Sequence, residues 1–224
     1  MLRPKKNITK KEIQKDPLLE TIDQFQAKVE KNKQLYTNIV LGVLALIVLS
    51  LFIIRNNRIN NNDADTSLGI ALISIDKGDY TTASFQLENI INDFESTSSA
   101  HLALFYLAKI KFNNNEMELA QKYVESFLKS KSKYLLLEAS SMLLADIHFK
   151  NNDLESAIKI INGSLKNCNS SFICGMLKLK KAFYLVEQGN SEAANNILVE
   201  IKAQKDLDLG QKQQVEILMG RLAG

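Results

Sequence analysis

Five columns of residues repeat every 37 positions from about residue 66 to the end of this chain, and that period dictates what the chain can fold into. Four alanines stand at Ala83, Ala120, Ala157 and Ala194. A second alanine column, Ala71, Ala108, Ala145 and Ala182, keeps the same step, as do Leu87, Val124, Ile161 and Leu198. A turn column reads Gly78, Asn115, Asn152 and Gly189, residues that tolerate a left-handed backbone at a helix end. Acidic or Asn residues follow it at Asp79, Glu116, Asp153 and Asn190. Each unit therefore reads as helix, tight turn, helix. In the second unit Leu104, Leu107 and Ile110 mark the first helix, and Ala120, Val124, Phe127 and Leu128 the second. Small residues at fixed points let two helices approach closely. One such hairpin cannot bury its own apolar face, so stacking neighbours makes the core. After the fourth unit, Val215, Leu218, Met219 and Leu222 predict a capping helix over roughly 210–222.

Composition agrees with an all-α chain. Only 9 Gly and 2 Pro interrupt it, with Pro4 and Pro17 both at the front, and many-stranded folds need more turn residues than that. The net charge of +3 lacks the electrostatic footprint of a nucleic-acid binder.

Ahead of the repeats, Gln34 to Ile54 form 21 residues without a charge. A helix rises about 1.5 Å per residue, so this length matches a hydrocarbon core of about 30 Å. A buried helix of a soluble protein is the first alternative and a cleaved signal peptide the second. The latter would have an unusually long charged leader and no small-x-small cleavage site after the apolar run. The expectation is an uncleaved signal anchor. Arg3, Lys5, Lys6, Lys10, Lys11, Lys15, Lys28, Lys31 and Lys33 precede it, against only Arg55 and Arg58 just after it. The positive-inside rule then puts the N-terminus in the cytoplasm and everything after residue 55 in a periplasm-like compartment.

The organisation expected is a basic cytoplasmic leader over 1–35, a transmembrane helix over 36–55, an Asn-rich linker over 56–65, and the repeat domain over 66–224. Within the leader, Thr9 with Glu12 forms a capping box and Ile8 with Ile13 its staple. Asp16 caps a second helix with Pro17 at its first position. Leu18, Ile22, Phe25 and Val29 form a narrow apolar stripe on that helix. The stripe could meet a partner's cytoplasmic surface, lipid headgroups, or the same stripe of another copy in a homo-oligomer; otherwise the helix merely extends the span.

Gly78-Asp-Tyr-Thr-Thr-Ala83 and Gly189-Asn-Ser-Glu-Ala-Ala194 resemble the Gly-x-x-x-x-Ala turn of tetratricopeptide repeats, and Phe105-Tyr-Leu-Ala-Lys109 resembles their first-helix core. The period exceeds the usual 34, which lengthens the links around Ser96–Ser99, Ser130–Tyr134 and Asn167–Phe172. The leader Thr9-Lys-Lys-Glu-Ile-Gln-Lys-Asp-Pro17, one span and a repeat domain together resemble the YfgM-type single-span proteins of the bacterial inner membrane. That resemblance implies an ancillary subunit of the Sec translocon, with translocon subunits, periplasmic chaperones or unfolded clients as partners and no catalytic residues. A structural coordinator of envelope assembly or cell division is the alternative.

In tetratricopeptide arrays the first helices line the concave face. Here that face would offer Leu68, Leu72 and Ile75, then Phe105, Lys109 and Phe112, then Met142, Asp146 and Phe149, then Leu179, Phe183 and Val186. An apolar trough with occasional charge suits an extended or helical segment of another protein; core packing is the alternative for several of these side chains. No Cys or carboxylate cluster brackets His101 and His148 with metal spacing, and no phosphate loop or nucleophile elbow is present, so no enzyme activity, metal or cofactor is expected. Cys168 and Cys174 straddle the link between the third and fourth units. An oxidising compartment would favour a disulfide there; two reduced thiols are the alternative.

Overall fold

The computed structural model describes residues 17–130, 132, 134, 136–204 and 207–224, with backbone alone for 17–20. The capping box at Thr9 and Glu12, the cap at Asp16 and the side chain of Leu18 therefore lie outside the described residues. Among the described residues ten helices and no strand are present. The chain divides into two compact units, Met1–Arg58 and Ile59–Gly224.

In the first unit, helix α1 spans Pro17–Lys31. It opens on a proline, which needs no N–H partner there, and ends with Lys28 and Lys31 at its negative pole. Ile22 and Phe25 are exposed and Val29 half-buried. Helix α2 spans Lys33–Asp76, and its part within this unit carries the apolar stretch. From Ile39 to Ile54 every large apolar side chain is about half exposed or more. The hydroxyls of Thr37 and Ser50 donate to the carbonyls of Lys33 and Leu46 four residues back, so both are satisfied within the helix itself.

The second unit begins at Ile59, inside α2. The segment 56–65, expected as an Asn-rich linker, is helical throughout. No Gly or Pro interrupts it, Ala64 is fully buried, and Asp65 accepts a hydrogen bond from Ser99 on a later helix. These tertiary contacts outweigh the weak helix preference of an Asn-rich run.

Four hairpins follow. The end of α2 pairs with α3 (Tyr80–Asp93), α4 (Ser98–Asn113) with α5 (Met117–Lys129), α6 (Leu137–Lys150) with α7 (Leu154–Leu165), and α8 (Ser171–Glu187) with α9 (Ser191–Lys202); α10 (Leu209–Ala223) closes the array. Both alanine columns and the column Leu87, Val124, Ile161 and Leu198 have 0% exposure throughout. Gly78, Asn115, Asn152 and Gly189 all have positive φ, between 59° and 80°, which reverses the chain after each first helix. The residue after each turn starts the second helix. Asp79, Asp153 and Asn190 accept the backbone N–H three residues on, whereas Glu116 instead takes Lys111 and Asn114.

The core is assembled between repeats. Ala103, Leu107 and Ile110 of α4 join the first repeat's cluster, Leu143 and Ile147 of α6 the second's, Leu177 and Tyr184 of α8 the third's, and Val215 and Leu218 of α10 the fourth's. Each first helix thus docks on the hairpin before it.

Candidate interaction face on the first helices

The first helix of each repeat turns one side to its own partner helix and one to the preceding repeat, leaving a third side that the sequence marked for binding. Of the twelve residues expected there, Leu68, Phe105 and Leu179 are buried in core clusters. They are packing residues, a correction to their expected role. Each is in one core cluster with residues of the helix that follows in the array: Leu68 with Leu107, Phe105 with Leu143 and Leu179 with Val215. Leu72, Ile75, Phe112, Met142, Phe149, Phe183 and Val186 are half-buried, with part of each side chain accessible. Lys109 is exposed, its ammonium 6.0 Å from the centroid of the Phe105 ring.

Asp146 is engaged within the fold. Its carboxylate accepts from Lys180 Nζ at 2.9 and 3.0 Å and from Tyr184 Oη at 2.6 Å, tying the third repeat to the fourth. Burial, then the hydrogen bond to Asp146, pushes the Tyr184 phenol far above its usual value, so it stays a donor. Phe149 packs edge-on against Phe183 at 5.3 Å and beside Tyr184 at 5.5 Å.

The accessible face widens at its C-terminal end into a cavity of about 340 Å³ between α8 and α10. Met176, Leu179 and Phe183 form one wall, and Ile217 with Leu218 the other; Lys180, Gln214 and Arg221 stand at the polar rim. Arg221 pairs with Glu187 at 2.6 Å and lies 6.0 Å over the Phe183 ring. Sequence reasoning did not mark Gln214, Ile217 and Arg221. Their signal was present in the apolar stripe of the capping helix, whose other side they occupy.

Among the described residues no group of three or more His, Cys, Asp or Glu side chains could hold a metal ion. His101 Nδ1 lies 3.0 Å from the Ser132 hydroxyl, and His148 Nδ1 3.1 Å from Asp153. The His148–Asp153 pair repeats the Lys111–Glu116 pair one unit later. Cys168 and Cys174 are joined by a disulfide across the link between α7 and α8.

Stacked helix hairpins with a partly apolar exposed face define a class, the α-solenoid interaction scaffold. A family model described as a tetratricopeptide repeat-like domain matches residues 29–195, and the chain belongs to that family. No curated protein matches it. Among solved structures, the chain is similar to one described as the functional characterization of Pseudomonas aeruginosa pilF, at 15% identity over 73% of this chain and 84% of that one, with a TM-score of 0.46.

Proposed function

We propose that the protein is a single-span, membrane-tethered scaffold that binds a segment of another protein along its first-helix face on the periplasmic side, as an ancillary member of the Sec translocon and chaperone network. The observation that carries the binding role is the face itself: half-buried apolar side chains from successive first helices, an exposed Lys109, and the α8–α10 cavity with its polar rim. An extended or helical segment with apolar residues and scattered acids suits such a trough. The tether is supported by the exposed apolar side chains from Ile39 to Ile54, within a helix long and apolar enough to cross a membrane. The family match starts at residue 29, ahead of that stretch. Charge flanking the stretch favours a cytoplasmic N-terminus, and the Cys168–Cys174 bridge suits an oxidising compartment. The assignment to the translocon comes from the layout's resemblance to YfgM-type proteins.

Photocrosslinkers at Lys109 and Ile217 of the intact protein in native membranes test the reading, with one at Lys159 on the exposed side of α7 as control. Translocon subunits, periplasmic chaperones or emerging chains captured at Lys109 and Ile217 are expected. Cell-wall or division proteins captured there, without translocon, would replace the translocon role with a coordinating one. Capture from Lys159 alone would overturn the binding face.

A further inference from the structure

The first repeat exposes an apolar edge that its successors bury. On α2, Ile59, Ile70 and Ile73 share one side of the helix, opposite Leu68 and Ala71, which are in the core. They are 50%, 51% and 55% exposed. The columns of Ile70 and Ile73 continue as Leu107 and Ile110, buried against the first repeat, and the second column goes on to Ile147 and Tyr184, both fully buried. These are positions through which a repeat docks on the one before it, and no repeat precedes the first. Helix α3 departs from the pattern as well. Phe85 is 65% exposed, where later repeats place Lys122, Lys159 and Asn196 in the same column.

We propose that this edge is a self-association surface, covered by the same edge of a second copy of the chain. Charge favours a second copy, because two identical surfaces related by a two-fold axis set like charges close together. The edge carries few of them, and of both signs: Asn60, Asn62, Thr66, Ser67 and Ser74 flank the isoleucines on α2, with Asp63 inside the stripe, Arg55 and Lys77 at its two ends, and Asp93 of α3 across a groove from Ile70. Continuity favours it too. The edge extends the inter-repeat interface, so it presents a helix layer shaped to receive another helix layer. Tethering is the third argument. If the apolar stretch anchors the chain, a second tethered copy stands in the same membrane at raised effective concentration. This last argument rests on the anchor reading; the first two do not.

The test uses the full-length protein in mild detergent and in native membranes. Oxidation of Ile73→Cys is expected to give a covalent homodimer, and Lys159→Cys to give none. Sedimentation of Ile70→Glu/Ile73→Glu is expected to show self-association weakened by roughly a hundredfold or more, since like charges then face each other across the contact. Its helical content should stay at the wild-type value, because both side chains are about half exposed, and its melting temperature should fall only by the stabilisation that association gives the wild type. If that variant does not fold, Asp63→Asn serves instead and is expected to tighten association. A monomeric wild-type protein, an Ile73→Cys crosslink only to a different protein, or unchanged association in the glutamate variant would overturn the proposal. The last of these would assign any dimer to the apolar stretch instead.

Discussion

Ser140 is fully buried at the start of α6, and its hydroxyl has no hydrogen-bond partner. Its column holds Ala103 one repeat earlier and Leu177 one repeat later, both fully buried. An unpaired buried hydroxyl costs about 1–3 kcal/mol in lost hydration, so Ser140→Ala is expected to raise stability by about 1 kcal/mol in urea unfolding. The turn residues set the opposite kind of limit. Gly189 sits at φ 80°, where a Cβ meets the following carbonyl; Gly189→Ala is expected to lose about 1–2 kcal/mol, and Asn115→Gly to be near neutral by the same measurement. Acid adds a third handle. Thr82 and Ser156 hydrogen-bond Asp79 and Asp153 and hold both carboxyls below the usual 3.8. A depressed carboxyl stabilises the fold above its unfolded pKa and loses that contribution as pH falls through the folded value. Stability should therefore decline below about pH 4, and Asp79→Asn/Asp153→Asn should flatten that decline in thermal melts between pH 5 and 3. The turn column was legible because only Gly and Asn sit easily at positive φ. The strain at Ser140 was not, because a lone serine in a helix gives no sign of whether water reaches it.

Between elements, Tyr184 and Lys180 both meet Asp146 and so join α8 to α6. Tyr184→Phe keeps the ring among Phe149 and Phe183 and removes only the bond to a charged acceptor. It is expected to cost about 1.5–3 kcal/mol in urea unfolding, with Ala145→Leu costing a similar amount by forcing the same helices apart. The disulfide fastens the link that enters α8. Closing so short a loop restricts the unfolded chain, so Cys168→Ala/Cys174→Ala should lose about 2 kcal/mol, and dithiothreitol should reproduce the loss in the wild-type chain. The helix hairpins themselves were fully legible, since a period of 37 with two alanine columns leaves one way to pack. The helical start of the first repeat was not. Asn60, Asn61 and Asn62 favour turns locally, and only the burial of Ala64 and the Ser99–Asp65 bond, both made at a distance, decide otherwise. The candidate face was legible by side and not by depth. Spacing placed Phe105 and Lys109 on one flank of α4, but whether α6 closes over either depends on how near the next helix sits.

At the scale of the repeat domain, the two ends differ in kind. Stability in a stacked array is close to a sum of hairpin and neighbour terms, and the final hairpin needs a cover. Helix α10 supplies it: Val215 and Leu218 pack with Leu198 and Ile201, and Leu207 joins them from the link before it. Its outer side presents Lys212, Gln213, Glu216 and Gly220 to solvent. The start of the domain instead presents Ile59, Ile70 and Ile73, each about half exposed. Removing residues 205–224 should therefore act as a stability lesion. Uncovering three buried aliphatic side chains costs roughly 5 kcal/mol, and the fourth hairpin should lose hydrogen-exchange protection first, with fraying moving back toward the third. The first repeat lies three interfaces away, so the same truncation should leave the Ile73→Cys homodimer crosslink at its full-length yield. If both readouts fell together, the two ends would share one cooperative unit and the nearest-neighbour picture would fail. If protection at α9 fell while the crosslink held, one end of the array would be built to finish the fold and the other to meet a second molecule.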